Sequence, residues 1–99
     1  MLWWVIYDIT DNKTRSRTSS KCKNYGLTHV QKSAFLGELT KNKAEMLALE
    51  IGEIIGDTDC VFLIPSCETC FREKIINGNF DEEAVKKKDW LIVGGGNGP

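Results

Sequence analysis

Ninety-nine residues, 41% of them apolar and 27% charged with only 2 Pro, bound the chain to one modest hydrophobic core. They exclude multidomain catalysis, intrinsic disorder and collagen-like repeats. The formal charge of −1 conceals a division: residues 1–43 carry eight Lys or Arg against three acids, and residues 44–99 carry five against eleven, so only the first half offers a basic face to phosphate.

The segment Leu2 to Tyr7 is too short to span a bilayer and has no basic stretch before it, so the expectation is a cytoplasmic chain with no membrane partner. Trp3 to Ile9 reads as a strand, apolar on both parities. Helices can cover only one of its faces, which predicts an isologous homodimer across the other. Thr10 or Asp11 caps a helix running from Asp11 to Tyr25, closed by Gly26. That helix carries Lys13, Arg15, Arg17, Lys21 and Lys23, with only Cys22 and Tyr25 as sizeable apolar or aromatic groups, so it is poorly amphipathic. Val30 to Leu39 predicts two short strands broken near Lys32. Ala44, Leu47, Ala48, Ile51, Ile54 and Ile55 form one helical stripe over Lys41 to Ile55, between Thr40 and Gly56. Cys60 to Pro65 is a further strand, followed by a turn at Cys67-Glu68-Thr69-Cys70.

The order β-α-β-β-α-β is that of an α+β, ferredoxin-like domain. The expected domain is the whole chain, residues 1–99, with a core over about 2–70 and an extension over 71–99. Within that extension, Asp81 to Lys88 predicts a polar helix, and Trp90 to Val93 a last strand suited to joining an edge on another chain.

Asp8 follows six apolar residues at the end of the first strand. It is either a cap for nearby backbone amides or a ligand for a hard cation, which takes one or two carboxylates and then phosphate. A dimer axis near Asp8 would double the carboxylates. Arg15 and Arg17 have the planar fork that matches phosphate oxygens, and Lys21 and Lys23 add point charges; the other reading of the same face is simple solvation. His29 stands alone as a strand-end histidine or a base near phosphate. Cys67 and Cys70 have the spacing of half a zinc site or of a thioredoxin-type dithiol, but too few partner ligands stand elsewhere and a redox motif belongs after the first strand, so they read best as reduced structural thiols, with intersubunit or partial zinc binding as the alternative.

Three stretches in register carry a resemblance. Val5-Ile6-Tyr7-Asp8-Ile9-Thr10-Asp11-Asn12-Lys13 resembles the first-strand motif of the small CRISPR-associated adaptation endonuclease family, the partner of the spacer integrase. Tyr25-Gly26-Leu27, Val30-Gln31-Lys32-Ser33-Ala34-Phe35 and Gly37-Glu38-Leu39 resemble its second block, and Ile64-Pro65-Ser66-Cys67-Glu68-Thr69-Cys70 resembles the end of its fourth strand. The resemblance implies a ferredoxin-like homodimer whose two Asp8 residues share Mg²⁺ or Mn²⁺, with a C-terminal strand crossing between protomers. It implies either metal-dependent hydrolysis of RNA or DNA or a scaffold for duplex DNA, with the CRISPR integrase subunit as partner. Asp8, Tyr7, Ser33 and Phe35 fall on its catalytic positions, Asp8 being the metal ligand; Arg15, Arg17, Lys21, Lys23 and His29 fall to nucleic-acid binding. His29 stands where many members have arginine, and Thr18, Lys21 and Cys22 stand where the family's first helix is aliphatic. A non-catalytic ferredoxin-like module that binds a small regulatory molecule is the alternative from another class.

Overall fold

A computed structural model describes residues 1–78. Its elements are β1 (Leu2–Asp8), α1 (Asn12–Asn24), β2 (Thr28–Gln31), β3 (Ala34–Glu38), α2 (Lys41–Gly52), β4 (Cys60–Ser66) and α3 (Glu68–Arg72). The strands form one antiparallel sheet in the order β2-β3-β1-β4, the ferredoxin-like arrangement. The helix expected over Asp81–Lys88 and the strand expected over Trp90–Val93 lie outside the described residues. Among the described residues no helix is long and apolar enough to cross a membrane.

β1 is central because both of its parities are apolar. Val5, Tyr7 and Ile9 enter the main core with Cys22 and Leu27, with Phe35 and Leu39, and with Ala44, Leu47 and Ile51 of α2; Trp3 packs at its margin. Leu2, Trp4, Ile6 and Asp8 have the opposite parity. On their face Phe71 of α3 packs with Leu2 and Leu36, and its ring lies 6.1 Å from that of Trp4. Among the described residues nothing else covers this face: Ile6, Phe62 and Ile64 are 37%, 55% and 44% exposed, with Phe62 directly opposite Ile6 and Ile64 opposite Trp4. Pro65 is tolerated in β4 because that strand is an edge.

Asp11, rather than Thr10, caps α1. Its carboxylate accepts the Thr14 amide at 2.8 Å and the Thr14 hydroxyl at 3.0 Å, and these bonds hold its pKa below the usual carboxylate range. At the other end Gly26 takes φ +86° and donates to the Lys23 carbonyl, while Leu27 donates to the Cys22 carbonyl. This is a Schellman closure, and it brings Leu27 into the core beside Cys22. A Cβ at Gly37 would lie 2.8 Å from Leu27 Cδ2 and 3.2 Å from Leu27 Cα, so glycine lets β3 pass close beneath that residue. In place of an aliphatic stripe, α1 buries Thr18 and Cys22. Among the described residues the Thr18 hydroxyl and the Trp3 indole nitrogen have no hydrogen-bond partner.

β1 runs from Leu2 to Asp8 rather than Trp3 to Ile9, and α1 is one residue shorter at each end than read in the sequence; three further differences are more telling. α2 is capped by Thr40 as expected but ends at Gly52, not Ile55; Ile54 and Ile55 continue the apolar pattern on irregular turns. β2 begins at Thr28 and carries a bulge between His29 and Gln31, before the expected break at Lys32 and Ser33. The Cys67–Cys70 stretch is not a loose turn: Cys67 caps α3, with its Sγ accepting the Cys70 amide at 3.3 Å.

Candidate functional site

Asp8 ends β1 on the open face. Pairing of β1 with β3 stops at Ile6 and Ala34, so Asp8 has a strand neighbour only on the β4 side, where Cys60 is its partner. Both side chains are exposed. The sequence places Asp8 after an apolar run, yet its side chain is exposed in the single chain. Among the described residues nothing in the protein hydrogen-bonds it.

The backbone that leaves Asp8 is firmly held. Arg15, half-buried on the first turn of α1, donates from Nη1 to the Ile9 carbonyl at 3.1 Å and the Thr10 carbonyl at 3.2 Å, and from Nη2 to Asn12 Oδ1. Its fork therefore clasps the β1–α1 loop instead of pointing outward. Asp59 ties the same loop to the α2–β4 connection, accepting from the Thr10 amide at 3.4 Å and the Gly56 amide at 2.8 Å. Sequence reasoning passed over Asp59, although an aspartate three residues after Gly56 is a turn signal.

Tyr7 and Phe35 lie on the other side of the sheet from Asp8. Both are in the main core, with rings 6.3 Å apart. The Tyr7 amide donates to the Ser33 carbonyl at 2.9 Å, and its hydroxyl to the Lys32 carbonyl at 3.4 Å. Burial pushes the Tyr7 pKa up, reinforced by the Cys22 thiol and partly offset by the Ser19 hydroxyl and the Arg15 charge. His29 covers Phe35 from β2, with rings 4.4 Å apart and only 7° from parallel. Its Nε2 lies 3.2 Å from the Lys32 carbonyl oxygen, which can only accept. Tyr7, His29, Ser33 and Phe35 thus meet around the β2–β3 turn at the Asp8 end of the sheet, with Tyr7 and Phe35 supporting it from beneath.

The cations divide. Arg17 and Lys13 flank a shallow open recess with Asn12 and Ser16 on the outer surface of α1. Lys23 is exposed on the last turn. Lys21 is 3.5 Å from Glu50 Oε1, and the other oxygen of that carboxylate accepts the Tyr25 hydroxyl at 2.9 Å, so part of its charge is spent between α1 and α2.

As a cation site, one chain is incomplete. Among the described residues no group of three or more His, Cys, Asp or Glu converges. Mg²⁺ accepts one or two carboxylates and fills its other positions with water. Asp8, solvent-facing and free of protein partners, has the right donor chemistry for such an ion when a second copy supplies the second carboxylate.

Strand order, register and the strand-end aspartate define a small ferredoxin-like domain in which, among the described residues, one sheet face is covered only in part, by α3. The chain belongs to the family described as CRISPR associated protein Cas2, whose sequence profile matches residues 1–74. It is 43% identical over 89 residues to the CRISPR-associated endoribonuclease Cas2 1 of Archaeoglobus fulgidus, covering 89% of this chain and 95% of that relative. The crystal structure of Streptococcus pyogenes Cas2 at pH 6.5 shares the fold, with a TM-score of 0.69 at 23% identity over 79% of this chain and 100% of that one. A Thermoproteus tenax protein named as a CRISPR-associated endonuclease Cas1/endonuclease Cas2 fusion is 42% identical over 48 residues, 44% of this chain and 18% of that protein.

Proposed function

We propose that this chain is a CRISPR-adaptation protein that acts as a homodimer and hydrolyses RNA phosphodiester bonds with two Asp8 carboxylates at its centre. One observation carries the reading: Asp8 stands at the rim of a sheet face on which Ile6, Phe62 and Ile64 remain exposed. Two copies that bury this face against each other bring their Asp8 residues to a common cleft. An Mg²⁺ or Mn²⁺ ion held by that pair would supply an activated water and neutralise charge developing on the phosphate. The chain's own contribution is positional. Arg15 and Asp59 fix the backbone after Asp8, while Arg17, Lys13 and Lys23 attract the nucleic-acid backbone without reading its sequence. The endoribonuclease name of the Archaeoglobus relative favours RNA as substrate.

A scaffold that holds duplex DNA for the integrase is the second reading. It is favoured by the placement of Tyr7 and Phe35 in the core, which leaves Asp8 as the exposed acid of the set, and by the Thermoproteus fusion, which joins a Cas1 half to a Cas2 half. Defined single- and double-stranded RNA and DNA, incubated with Mg²⁺, Mn²⁺ or EDTA, separate the two. The nuclease reading expects metal-dependent cleavage that Asp8→Asn abolishes while sedimentation still finds a dimer. Cleavage that is unchanged in Asp8→Asn overturns it. Metal-independent duplex binding without cleavage supports the scaffold.

A further inference from the structure

The four cysteines occupy three environments, and all are free thiols. Cys22 is sealed in the main core, where burial pushes its thiol up to about 12, so it is inert. Cys60 is exposed at the start of β4, opposite Asp8. Cys67 and Cys70 are exposed together beyond the far end of that strand. Cys67 lies seven residues beyond Cys60 along extended chain, roughly 23 Å at about 3.3 Å per residue, so the two thiols are out of reach of each other.

We propose that Cys67 and Cys70 form a thiol–disulfide exchange site, in which Cys67 attacks a low-molecular-weight disulfide and Cys70 resolves the adduct. The geometry sets the roles. Cys67 Sγ already lies over the first turn of α3, accepting the Cys70 amide at 3.3 Å. That amide and the Cys70 thiol both stabilise a thiolate at Cys67 and lower its pKa, while the same contact raises that of Cys70. The division matches an attacking thiol and a protonated partner held in reserve.

The exchange balances in two steps. Cys67 releases its proton to water, and its electron pair forms a bond to one sulfur of the disulfide RSSR; the S–S bond breaks, and the departing RS⁻ takes up a proton. Cys70 then loses its proton and attacks Cys67 Sγ in the mixed disulfide, expelling the second RS⁻. Two protein thiols are oxidised to one disulfide, and RSSR is reduced to two RSH. The site lies next to Phe71, the residue by which α3 covers Leu2 and Leu36, so closing the disulfide pins the turn that seats that ring. This inference does not rest on nuclease activity or on the dimer.

The test treats the reduced full-length protein with oxidised glutathione in the absence of oxygen, quenches by alkylation and maps the peptides. The expected result is a Cys67–Cys70 disulfide in the wild type. Cys70→Ser should instead accumulate glutathione on Cys67, and Cys67→Ser should lose both products. Because serine is itself a good helix cap, Cys67→Ser should keep the wild-type melting temperature. Absence of the internal disulfide under excess oxidised glutathione overturns the proposal, as does an adduct on Cys60 in preference to Cys67 in Cys70→Ser.

Discussion

Replacing Thr18 by Val should stabilise this domain. Thr18 is fully buried on the core side of α1, and its hydroxyl has no partner. A hydroxyl taken out of water without a new hydrogen bond costs about 1–3 kcal/mol in protein mutational data. Val keeps the β-branched shape and has nearly the same helix propensity, so the exchange removes the orphan group with little change in packing or backbone preference. A gain of about 1–2 kcal/mol corresponds to a rise in Tm of roughly 5–15 °C for a domain of this size. Thermal melts and urea titrations at one fixed protein concentration measure it, with the urea m-value expected to stay constant. Thr18→Ser is the control: it retains the hydroxyl, removes a methyl and should lose about 1 kcal/mol. A Thr18→Val variant with a lower or unchanged Tm would refute the argument and mean that the hydroxyl has a partner after all.

Further outcomes follow from the thiol and the arginines. The Cys22 thiol titrates near 9 when unfolded and near 12 in the core, so the folded state retains a proton that the unfolded state gives up. Stability should therefore be insensitive to this group below pH 9 and fall by up to about 1.4 kcal/mol per pH unit above it; Cys22→Ala should flatten that slope in urea titrations between pH 9 and 11. Arg17→Ala should reduce the slope of log affinity against log salt for duplex DNA by about 0.9 if it neutralises one phosphate. Arg15→Ala should leave that slope nearly intact but lower Tm, because its donors are already engaged by the Ile9 and Thr10 carbonyls and by Asn12; the opposite pattern would show that Arg15 turns outward to bind.

The elements legible in the sequence were those with a local cause. β1 announced itself by apolar residues on both parities, α1 by Asp11 and Gly26, and α2 by Thr40 and the spacing of Ala44, Leu47 and Ile51. The end of α2 was not legible, because Ile54 and Ile55 satisfy the helical stripe although the chain has already turned away at Gly52. Adjacent strand positions alternate in face, so Tyr7 stands in the core while Asp8 is exposed on the other side of the sheet. The exposure of Asp8 was hidden, since whether a strand's second face is covered depends on what packs there from distant sequence. In the sequence Arg15, like Arg17, reads either as a fork for phosphate oxygens or as part of a solvated basic face. Nothing local shows that its guanidinium turns back to carbonyls five and six residues earlier.

Through that clasp, the chain beyond Asp8 is ordered before any ligand arrives. Fixing a flexible residue takes about 1–2 kcal/mol of conformational entropy. With Ile9 and Thr10 already held by Arg15, that loss falls within folding rather than within the encounter with a phosphate or an ion. A ligand taken up at Asp8, as proposed above, would then have chiefly the rotamer of that side chain to settle, and the clasp would act as preorganisation from a distance.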